Sequence, residues 1–452
     1  MPIPIITTAI TEGTNSIPHL WSILKLLPWA VILAALKYYF GGARNTSERL
    51  MHSKVVMITG GTSGIGAQVT SALASRGAQI ILLTQHPATD IFLSEYIEDL
   101  RRSTNNQLIY AEQVDLSSLH SIRTFATKWI DNVPPRRLDM VILCGNAAPP
   151  VSQKRKLTVD GIDEEWMVNY LANFHLLSIL SPALRAQPAH RDVRVVFTTC
   201  SSYIGAKWDL RQVEEAAAIT AAAAAAQQQG DNGGGGSNGD GRRVVMKNGK
   251  LQREKAKPKA AKKAAKGVSL YGLSKLSLMV FAQSFQKHLN AFKRPDNQPC
   301  SARVIMVDPG FSRTPGMRRW MTGGSLWGLL VYLVTWPVWW LVLKSPQQGA
   351  QSVLYAAMEA EYGRGEGGWM IKECKEVDLA RKEVKDEEAG KMLWEFSEKL
   401  IEVKERESAV RRALANKEKE VAEQMEKNKA SGSSSSGAKE QTPGSRRSRK
   451  GK

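Results

Sequence analysis

An apolar run, a glycine-rich turn and an amphipathic segment, in that order, limit the folds open to this chain of 452 residues. VVMIT at 55–59 leads into GGTSGIG at 60–66, a helical pattern follows, and a second apolar run, QIILLT, occupies 79–84. Continuous apolar runs separated by an amphipathic helix are typical of a parallel sheet covered on both faces. The segment therefore predicts an α/β fold.

The same alternation continues along the chain. We predict further strands at 108–113, 138–143, 193–199 and 302–307, and helices at 91–103, 117–131, 162–180 and 271–290. Strands and helices in this order indicate a doubly wound parallel sheet of the Rossmann type. We place one domain at 54–400.

The net charge of +19 is concentrated in two appendages. Residues 242–268 hold eleven Lys or Arg and one acid, and residues 446–452 hold five more cations. The first group lies in a low-complexity insertion, 207–268, whose composition we expect to be unable to order itself. Anionic lipid or nucleic acid could bind 242–268, but nucleic acid is not expected because no aromatic residue interleaves the cations. A charged helix at 401–429 and a disordered basic tail at 430–452 are predicted after the domain.

Residues 20–40 are apolar but contain Lys25, Pro28 and Lys37. This composition favours a membrane anchor, kinked or lying in the interface, over a buried core helix. Basic residues follow the segment and none precedes it, so a secretory signal is not expected and the rest of the chain is expected in the cytosol. The four cysteines lack a CxxC pair, which fits a reducing compartment, and no metal-ligand spacing is found.

The glycine-rich turn follows a predicted strand and opens a predicted helix, so backbone amides there can approach a pyrophosphate. The TGxxxGIG pattern resembles the cofactor loop of short-chain dehydrogenases/reductases. By that resemblance the cofactor is held by Thr59, Gly60, Thr62, Ser63, Gly64, Ile65 and Gly66.

Tyr271 and Lys275 stand four residues apart on one predicted helix face, and a nearby cation lowers a phenol pKa. Tyr203 and Lys207 repeat this spacing, but Gly205 interrupts the second copy. The helix YGLSKLSLMVFAQSF resembles the YxxSK helix of the same family. The resemblance makes Tyr271 the catalytic acid or base, and gives Lys275 the tuning of its pKa and the nicotinamide ribose.

The family's catalytic serine lies at the end of the strand before that helix, here within RVVFTTCSSYIG. Counting from the start of the strand favours Cys200 or Ser201, whereas counting back from Gly205 favours Ser202. We predict Ser201 or Ser202; an ordinary polar strand end is the alternative for either.

Other family positions follow by the same resemblance. Asn169 in WMVNYLANF would support a water relay, and Asp115 in VDLSS would border the adenine ring. Where the family has NAG, this chain has Cys144, Gly145, Asn146 and Ala147, and we expect cofactor binding to survive the change. The nicotinamide contacts would be Pro309, Gly310 and Thr314.

Cofactor choice is expected at the end of the second strand, where an acid would bind the adenosine ribose and disfavour a 2′-phosphate. Gln85 follows Thr84 there and no acid is present. NADP(H) is therefore preferred over NAD(H).

The sequence after Leu341 resembles the retinol-dehydrogenase-like, membrane-associated branch of the family. A second apolar segment, 326–343, would then be a helix broken at Pro337 that lies on the membrane; an ordinary buried helix is the alternative.

We therefore expect an NADP(H)-preferring oxidoreductase that moves hydride between nicotinamide and a carbonyl or alcohol of a retinoid, sterol or long-chain aldehyde or ketone. The expected partners are this lipophilic molecule, a membrane or lipid-droplet surface and a second copy in a homodimer. The expected location is the endoplasmic reticulum or lipid droplets, with the catalytic domain facing the cytosol. The alternative is a noncatalytic dinucleotide-binding scaffold, which the altered NAG motif and the displaced serine favour.

Overall fold

The computed structural model describes residues 20–148, 150, 155–216, 218, 242–247, 250–255 and 270–434. The strands are β1 Val55–Thr59, β2 Gln79–Thr84, β3 Ile109–Gln113, β4 Met140–Leu143, β5 Val193–Thr198, β6 Arg242–Lys247, β7 Lys250–Lys255, β8 Ala302–Asp308, β9 Trp369–Lys372 and β10 Lys375–Glu376. Eight of them form one sheet in the order β10-β9-β8-β5-β4-β1-β2-β3. All neighbours in it are parallel except β9 and β10.

The strand order reverses between β1 and β4, and ligands of doubly wound sheets bind outside the carboxyl ends of the strands at such a point. The predicted Rossmann-type fold is confirmed. β8, which covers the strand predicted at 302–307, pairs in parallel with β9, with Ile305 opposite Trp369.

Alternate residues of the central strands face two cores because successive side chains of a strand point to opposite faces. Met57 packs in one core, and Ile58 in the other. Helices Leu119–Ile130, Ala172–Arg185 and Tyr271–Ala291 cover the first face. Helices Gly64–Ala74, Ile91–Thr104 and Pro346–Met358 cover the second.

The helix predicted at 162–180 is interrupted by a π-helical segment. A turn at Glu164–Trp166 leads into the π-helix Met167–Leu171, and α-helical geometry resumes at Ala172–Arg185. A π-helical segment inside an α-helix is often found at a functional site, and Asn169 lies in this one.

The insertion 207–268 contains two described strands, which corrects the expectation that it cannot order. β6 and β7 form an antiparallel pair, with Arg242 opposite Lys255 and Lys247 opposite Lys250. Short-range pairing between the two strands forms despite the low-complexity sequence around them. The alanine, glutamine and glycine runs of the prediction lie outside the described residues.

Beyond the sheet the chain is helical. The helix Glu387–Ser434 crosses from one compact unit, residues 1–401, into a second, residues 402–452. Residues 430–434 therefore belong to a helix and not to the predicted disordered tail, whose remainder lies outside the described residues.

The segment predicted as an anchor forms the N-terminal helix, Leu20–Gly41, which contains Pro28. Within the part of the chain that the structure describes, no helix combines the length and the apolar character needed to cross a membrane. The second apolar segment forms two helices, Leu326–Val334 and Trp336–Val342, which we call the Trp-rich helix pair. The break falls at Thr335, not at Pro337, because a proline is accepted in the first turn of a new helix.

Candidate active site

The glycines of the glycine-rich turn allow a close backbone approach that a side chain would block. A Cβ on Gly66 would lie 2.1 Å from the carbonyl oxygen of Gly60, and one on Gly60 would lie 2.9 Å from the backbone of Cys144. Gly60 also has φ of +65°, which other residues rarely adopt. The turn thus brings backbone close to backbone at the carboxyl ends of β1 and β4, as the predicted dinucleotide cradle requires.

The helix Gly64–Ala74 begins at this turn. Ser63 precedes the first helical residue with an extended backbone, and its side chain makes no capping hydrogen bond within the described residues. Thr62 and Ser63 are exposed, whereas Ile65 is half-buried. Helix N-termini attract anionic groups, so Thr62 and Ser63 are available to a pyrophosphate.

The altered NAG motif closes the other side of the cradle. The Gly145 amide donates to Thr59 Oγ1 at 3.1 Å, and a Cβ on Gly145 would lie 2.7 Å from a methyl of Leu116. Burial raises the pKa of Cys144 to about 11. The motif therefore still provides close backbone approach, although its first residue is a neutral thiol and not the family's asparagine.

Two residues predicted to contact the adenosine half lie at neighbouring strand ends. Gln85 is exposed directly after β2, and its carbonyl accepts a hydrogen bond from the Gln113 side chain at 3.3 Å. Asp115 follows β3, and its Oδ1 accepts from the Ser117 amide at 2.8 Å. Asp115 thus stabilises a local turn, and the cap of the next helix is Ser118.

The predicted nicotinamide loop is held in place by a buried carboxylate. Gly310 has φ of +73°, and its amide donates to Asp308 Oδ1 at 2.9 Å. Thr314 caps the helix Pro315–Thr322, with Oγ1 accepting from the Met317 amide at 3.3 Å. A Cβ on Gly64 would lie 3.3 Å from the methyl of Thr314, so the loop carrying Pro309 approaches the glycine-rich turn.

Tyr271 begins a long buried helix and faces the loop after β4. The Asn146 side chain hydrogen-bonds its hydroxyl, and Cys200 Sγ lies 3.5 Å from its Oη. Burial raises the pKa of Tyr271, and Cys200 raises it further, while the bond to Asn146 opposes the change. The net direction is opposite to the lowering that the Tyr-Lys spacing predicts, because desolvation of the phenolate is the largest influence on this pKa.

Lys275 lies one turn after Tyr271 and is buried. Its Nζ donates to the carbonyl of Thr198 at 3.3 Å and lies 5.9 Å from the centre of the Tyr271 ring. Burial lowers the pKa of Lys275, and Cys200 and Cys144 oppose this. The ammonium is therefore fixed at the end of β5, beside the tyrosine.

The three candidates for the catalytic serine position point to different partners. Cys200 Sγ lies 2.9 Å from Ser202 Oγ and reaches Tyr271. Ser201 Oγ donates instead to Asp308 Oδ2 at 2.5 Å and accepts from Lys372 Nζ at 3.2 Å. Successive residues leave a strand end in different directions, so Cys200 contacts the tyrosine and Ser202, one of the two predicted serines, contacts Cys200, while Ser201, the other, binds Asp308.

Asn169 connects the two halves of the site. Its Nδ2 donates to the Ala147 carbonyl at 2.9 Å, and its Oδ1 accepts from the Ala147 amide at 2.7 Å. Nδ2 also reaches Ser274 Oγ at 3.4 Å, on the Tyr271 helix. The amide therefore fixes the loop after β4 against the catalytic helix, and its part in a water relay stays a prediction.

The second Tyr-Lys pair is organised differently. Tyr203 is buried in the 3₁₀ turn Ser201–Gly205, and burial and Asp308 raise its pKa. Sequence reasoning missed the network of Asp308, Lys372 and Ser201, because these residues come from three separate segments. Among the described residues, no group of three His, Cys, Asp or Glu side chains could hold a metal ion.

Comparisons with known proteins identify the family of this chain. The family described as short chain dehydrogenase matches residues 54–224. An uncharacterized oxidoreductase, pbr1, of Schizosaccharomyces pombe is 39% identical over 402 residues, which cover 89% of this chain and 94% of the relative. Retinol dehydrogenase 13 of Mus musculus is 26% identical, covering 83% of this chain and 94% of its own length. Polyprenol dehydrogenase of Homo sapiens is 25% identical, covering 77% and 90%.

The chain belongs to the short-chain dehydrogenase family and is retinol-dehydrogenase-like, which confirms the resemblance seen in its motifs. It is an oxidoreductase that acts on CH–OH donors with NAD(P) as acceptor, and its substrate is a small molecule.

Proposed function

We propose that this protein transfers hydride between NADP(H) and a lipophilic alcohol or carbonyl compound at a membrane surface. The observation that carries the proposal is the convergence of Tyr271, Lys275, Cys200 and Ser202 beside the glycine-lined cradle. The bound cofactor supplies a hydride donor or acceptor at C4 of its nicotinamide.

Tyr271 acts as general acid when a carbonyl is reduced and as general base when an alcohol is oxidised. Its raised pKa keeps the hydroxyl protonated at neutral pH, which is the form that reduction requires. Lys275, fixed by the Thr198 carbonyl, stabilises the phenolate that forms after proton transfer.

Cys200 and Ser202 hydrogen-bond the substrate oxygen. Cys200 contacts the Tyr271 hydroxyl and Ser202 contacts Cys200, whereas the Ser201 hydroxyl is bound to Asp308. Asn169 acts as a positioning residue, because its contacts to Ala147 and Ser274 hold the two sides of the site together.

NADP(H) is preferred over NAD(H) in this proposal. Gln85 is exposed at the end of β2, where an acidic side chain would repel a 2′-phosphate. His86, directly after it, lies 3.2 Å from Asp90. The position that would recognise the ribose therefore carries no carboxylate, which favours NADP(H).

Exposed apolar side chains on two parts of the surface support a lipophilic substrate and a membrane location. Leu326 is 86% exposed and Trp327 77% exposed, and several large side chains of the N-terminal helix are also exposed. Exposed apolar patches of this kind mark lipid or partner contacts. The names of the relatives, retinol dehydrogenase and polyprenol dehydrogenase, suggest a substrate of the same class. The location we propose is the endoplasmic reticulum or a lipid droplet, with the domain in the cytosol.

The test compares purified wild-type protein with Tyr271→Phe and a matched control, Tyr203→Phe. NADPH and NADH consumption is followed with retinoid, sterol and long-chain aldehyde or ketone substrates. Removing a general acid costs about 10²- to 10⁴-fold in rate, so Tyr271→Phe should lose activity while Tyr203→Phe keeps most of it. Equal rates in wild type and Tyr271→Phe, or cofactor binding without turnover, would favour the noncatalytic scaffold.

A further inference from the structure

Two cations meet where the N-terminal helix contacts the Trp-rich helix pair. Lys37 Nζ donates to the Trp340 carbonyl at 2.5 Å and lies 4.8 Å from the centre of the Trp340 ring. The Arg313 guanidinium lies 5.0 Å from the centre of the Trp336 ring. The two cations therefore lie over aromatic rings that stand one turn apart on the helix Trp336–Val342.

These cations are not balanced by acids. Neither Lys37 nor Arg313 has an ion-pair partner among the residues that the structure describes. Arg313 Nε is buried and lacks a hydrogen-bond partner within the same residues. Burial lowers the pKa of Lys37, and repulsion by Arg313 lowers it further. Bringing two like charges together at partly buried positions is unfavourable unless an anion joins them.

The surroundings identify the kind of anion. The sequence contains no Asp or Glu from 309 to 358 or from 13 to 47. Exposed apolar side chains lie near the two cations: Leu36 is on the helix of Lys37, and Val338 is on the helix whose tryptophan rings the cations contact. A free phosphate would leave this apolar surface in water, whereas a phospholipid supplies both acyl chains and an anionic headgroup.

We propose that Lys37 and Arg313 together bind the phosphate of an anionic phospholipid at the membrane surface. The inference rests on the membrane attachment in the proposed function and adds a headgroup site to it. Arg313 is followed by Thr314, the candidate nicotinamide contact, and its amide donates to the Lys344 carbonyl at 2.9 Å. The lipid would therefore bridge the N-terminal helix to the loop that contacts the cofactor.

The experiment is flotation of the full chain with two kinds of vesicle, one of phosphatidylcholine alone and one that also contains phosphatidic acid. The variants are Lys37→Gln and Lys37→Gln/Arg313→Gln. The matched control, Arg102→Gln/Lys128→Gln, removes the same charge from exposed positions elsewhere. Because the basic insertion and tail also attract anionic lipid, only the difference between the two double variants measures the site.

We expect affinity for the anionic vesicles to fall about fivefold for each cation removed from the site. Binding to phosphatidylcholine should stay near that of the wild type, and the control should lose clearly less affinity than the double variant. Equal losses in both double variants would overturn the proposal. The single variant Lys37→Gln decides the result if the double variant fails to fold.

The outcomes separate this inference from the function it rests on. Equal flotation with both vesicles, in wild type and variants, overturns the headgroup site and leaves membrane attachment standing. An absence of flotation with either vesicle overturns both, while the NADPH assay still tests the oxidoreductase activity. Titration with inorganic phosphate, followed by tryptophan fluorescence, should give no saturable response. A saturable response that the double variant lacks would assign the site to a free anion and overturn the lipid.

Discussion

The carboxyl edge of the sheet and the Trp-rich helix pair use apolar and polar groups in opposite ways. At the sheet edge, the buried polar groups Asn169, Lys275 and Asp308 have hydrogen-bond partners. On the helix pair, large apolar side chains such as Trp327 are exposed. In the first region, burial fixes the positions of the polar side chains and shifts pKa values. In the second region, the exposed apolar surface is available for contact with an apolar phase such as a membrane. Changes should therefore affect chemistry in one region and attachment in the other.

The largest expected effect is at the sheet edge. Cys200→Ala/Ser202→Ala removes both groups that we assign to the substrate oxygen, and loss of such donors typically costs about 10²- to 10³-fold in kcat. Ser201→Ala, beside them, should cost far less in kcat, because its hydroxyl donates to Asp308. Steady-state kinetics with a carbonyl substrate measure both. A larger loss in Ser201→Ala would assign the catalytic role to Ser201, the other of the two serines predicted from sequence.

Gly66→Ala tests the cofactor cradle. Its Cβ would meet the Gly60 carbonyl at 2.1 Å, and because backbone atoms cannot move aside cheaply, strain of about 1–3 kcal/mol is expected. The affinity for NADPH, measured by quenching of tryptophan fluorescence, should fall by about tenfold to a hundredfold. Gly316→Ala is the matched control, since a Cβ there meets no atom within 4 Å. Equal affinities in the two variants would contradict the assignment of this turn to the pyrophosphate.

Two substitutions on one helix sharpen the contrast between exposed and buried apolar groups. Trp327→Ser should weaken vesicle binding by about tenfold and change the free energy of unfolding by less than about 0.5 kcal/mol, because Trp327 is exposed. Tyr332→Ser, at a buried position, should destabilise the fold by about 2–4 kcal/mol. Flotation and chemical denaturation check the pair. A strong loss of stability in Trp327→Ser would mean that the helix pair packs against protein.

The smallest effect is expected at the ion pair beside the loop that contains Gly310. Burial acts to raise the pKa of Glu373, but the hydrogen bond and charge of Lys344, 2.5 Å away, hold it below its ordinary value. A carboxyl with a lowered folded-state pKa stabilises the fold above about pH 4.5, and this contribution is lost as pH falls through the lowered pKa.

Glu373→Gln should therefore cost less than about 1 kcal/mol at neutral pH, because the carboxyl is partly exposed. The difference in Tm between variant and wild type should shrink as the pH falls below about 4.5. Thermal unfolding at several pH values measures it. A difference that grows in acid would show that the pair does not stabilise the folded state.

Much of the fold could be predicted because local patterns determine it. β2 was predicted at Gln79–Thr84 and occupies those residues, since a continuous apolar run bounded by turn residues has few alternatives. The helix of Tyr271 was predicted to begin at 271 and does so. The strand pair β6 and β7 was missed because its sequence is charged and lies within low-complexity runs. The π-helical segment was missed because one additional residue in a turn leaves the apolar period nearly unchanged.

The site was predictable in residue type but not in orientation. The geometry of the glycine-rich turn and of the Tyr-Lys pair could be predicted from sequence spacing, because each set of residues lies within one short turn or one helix. The choice among Cys200, Ser201 and Ser202 depends on where β5 ends, and a shift of one residue changes the side to which each points. The upward pKa of Tyr271 depends on burial by segments distant in sequence, which a one-turn spacing does not reveal.

The chain segments before and after the insertion lie close to each other beside the active site. A Cβ on Gly272 would lie 3.3 Å from that of Ala206, so residues that flank the inserted stretch lie close together. Because the fold already brings these flanking residues together, the length of the stretch between them adds only a slowly growing entropic term. This position is therefore a suitable site for inserting a fluorescent or affinity domain without altering the catalytic helix.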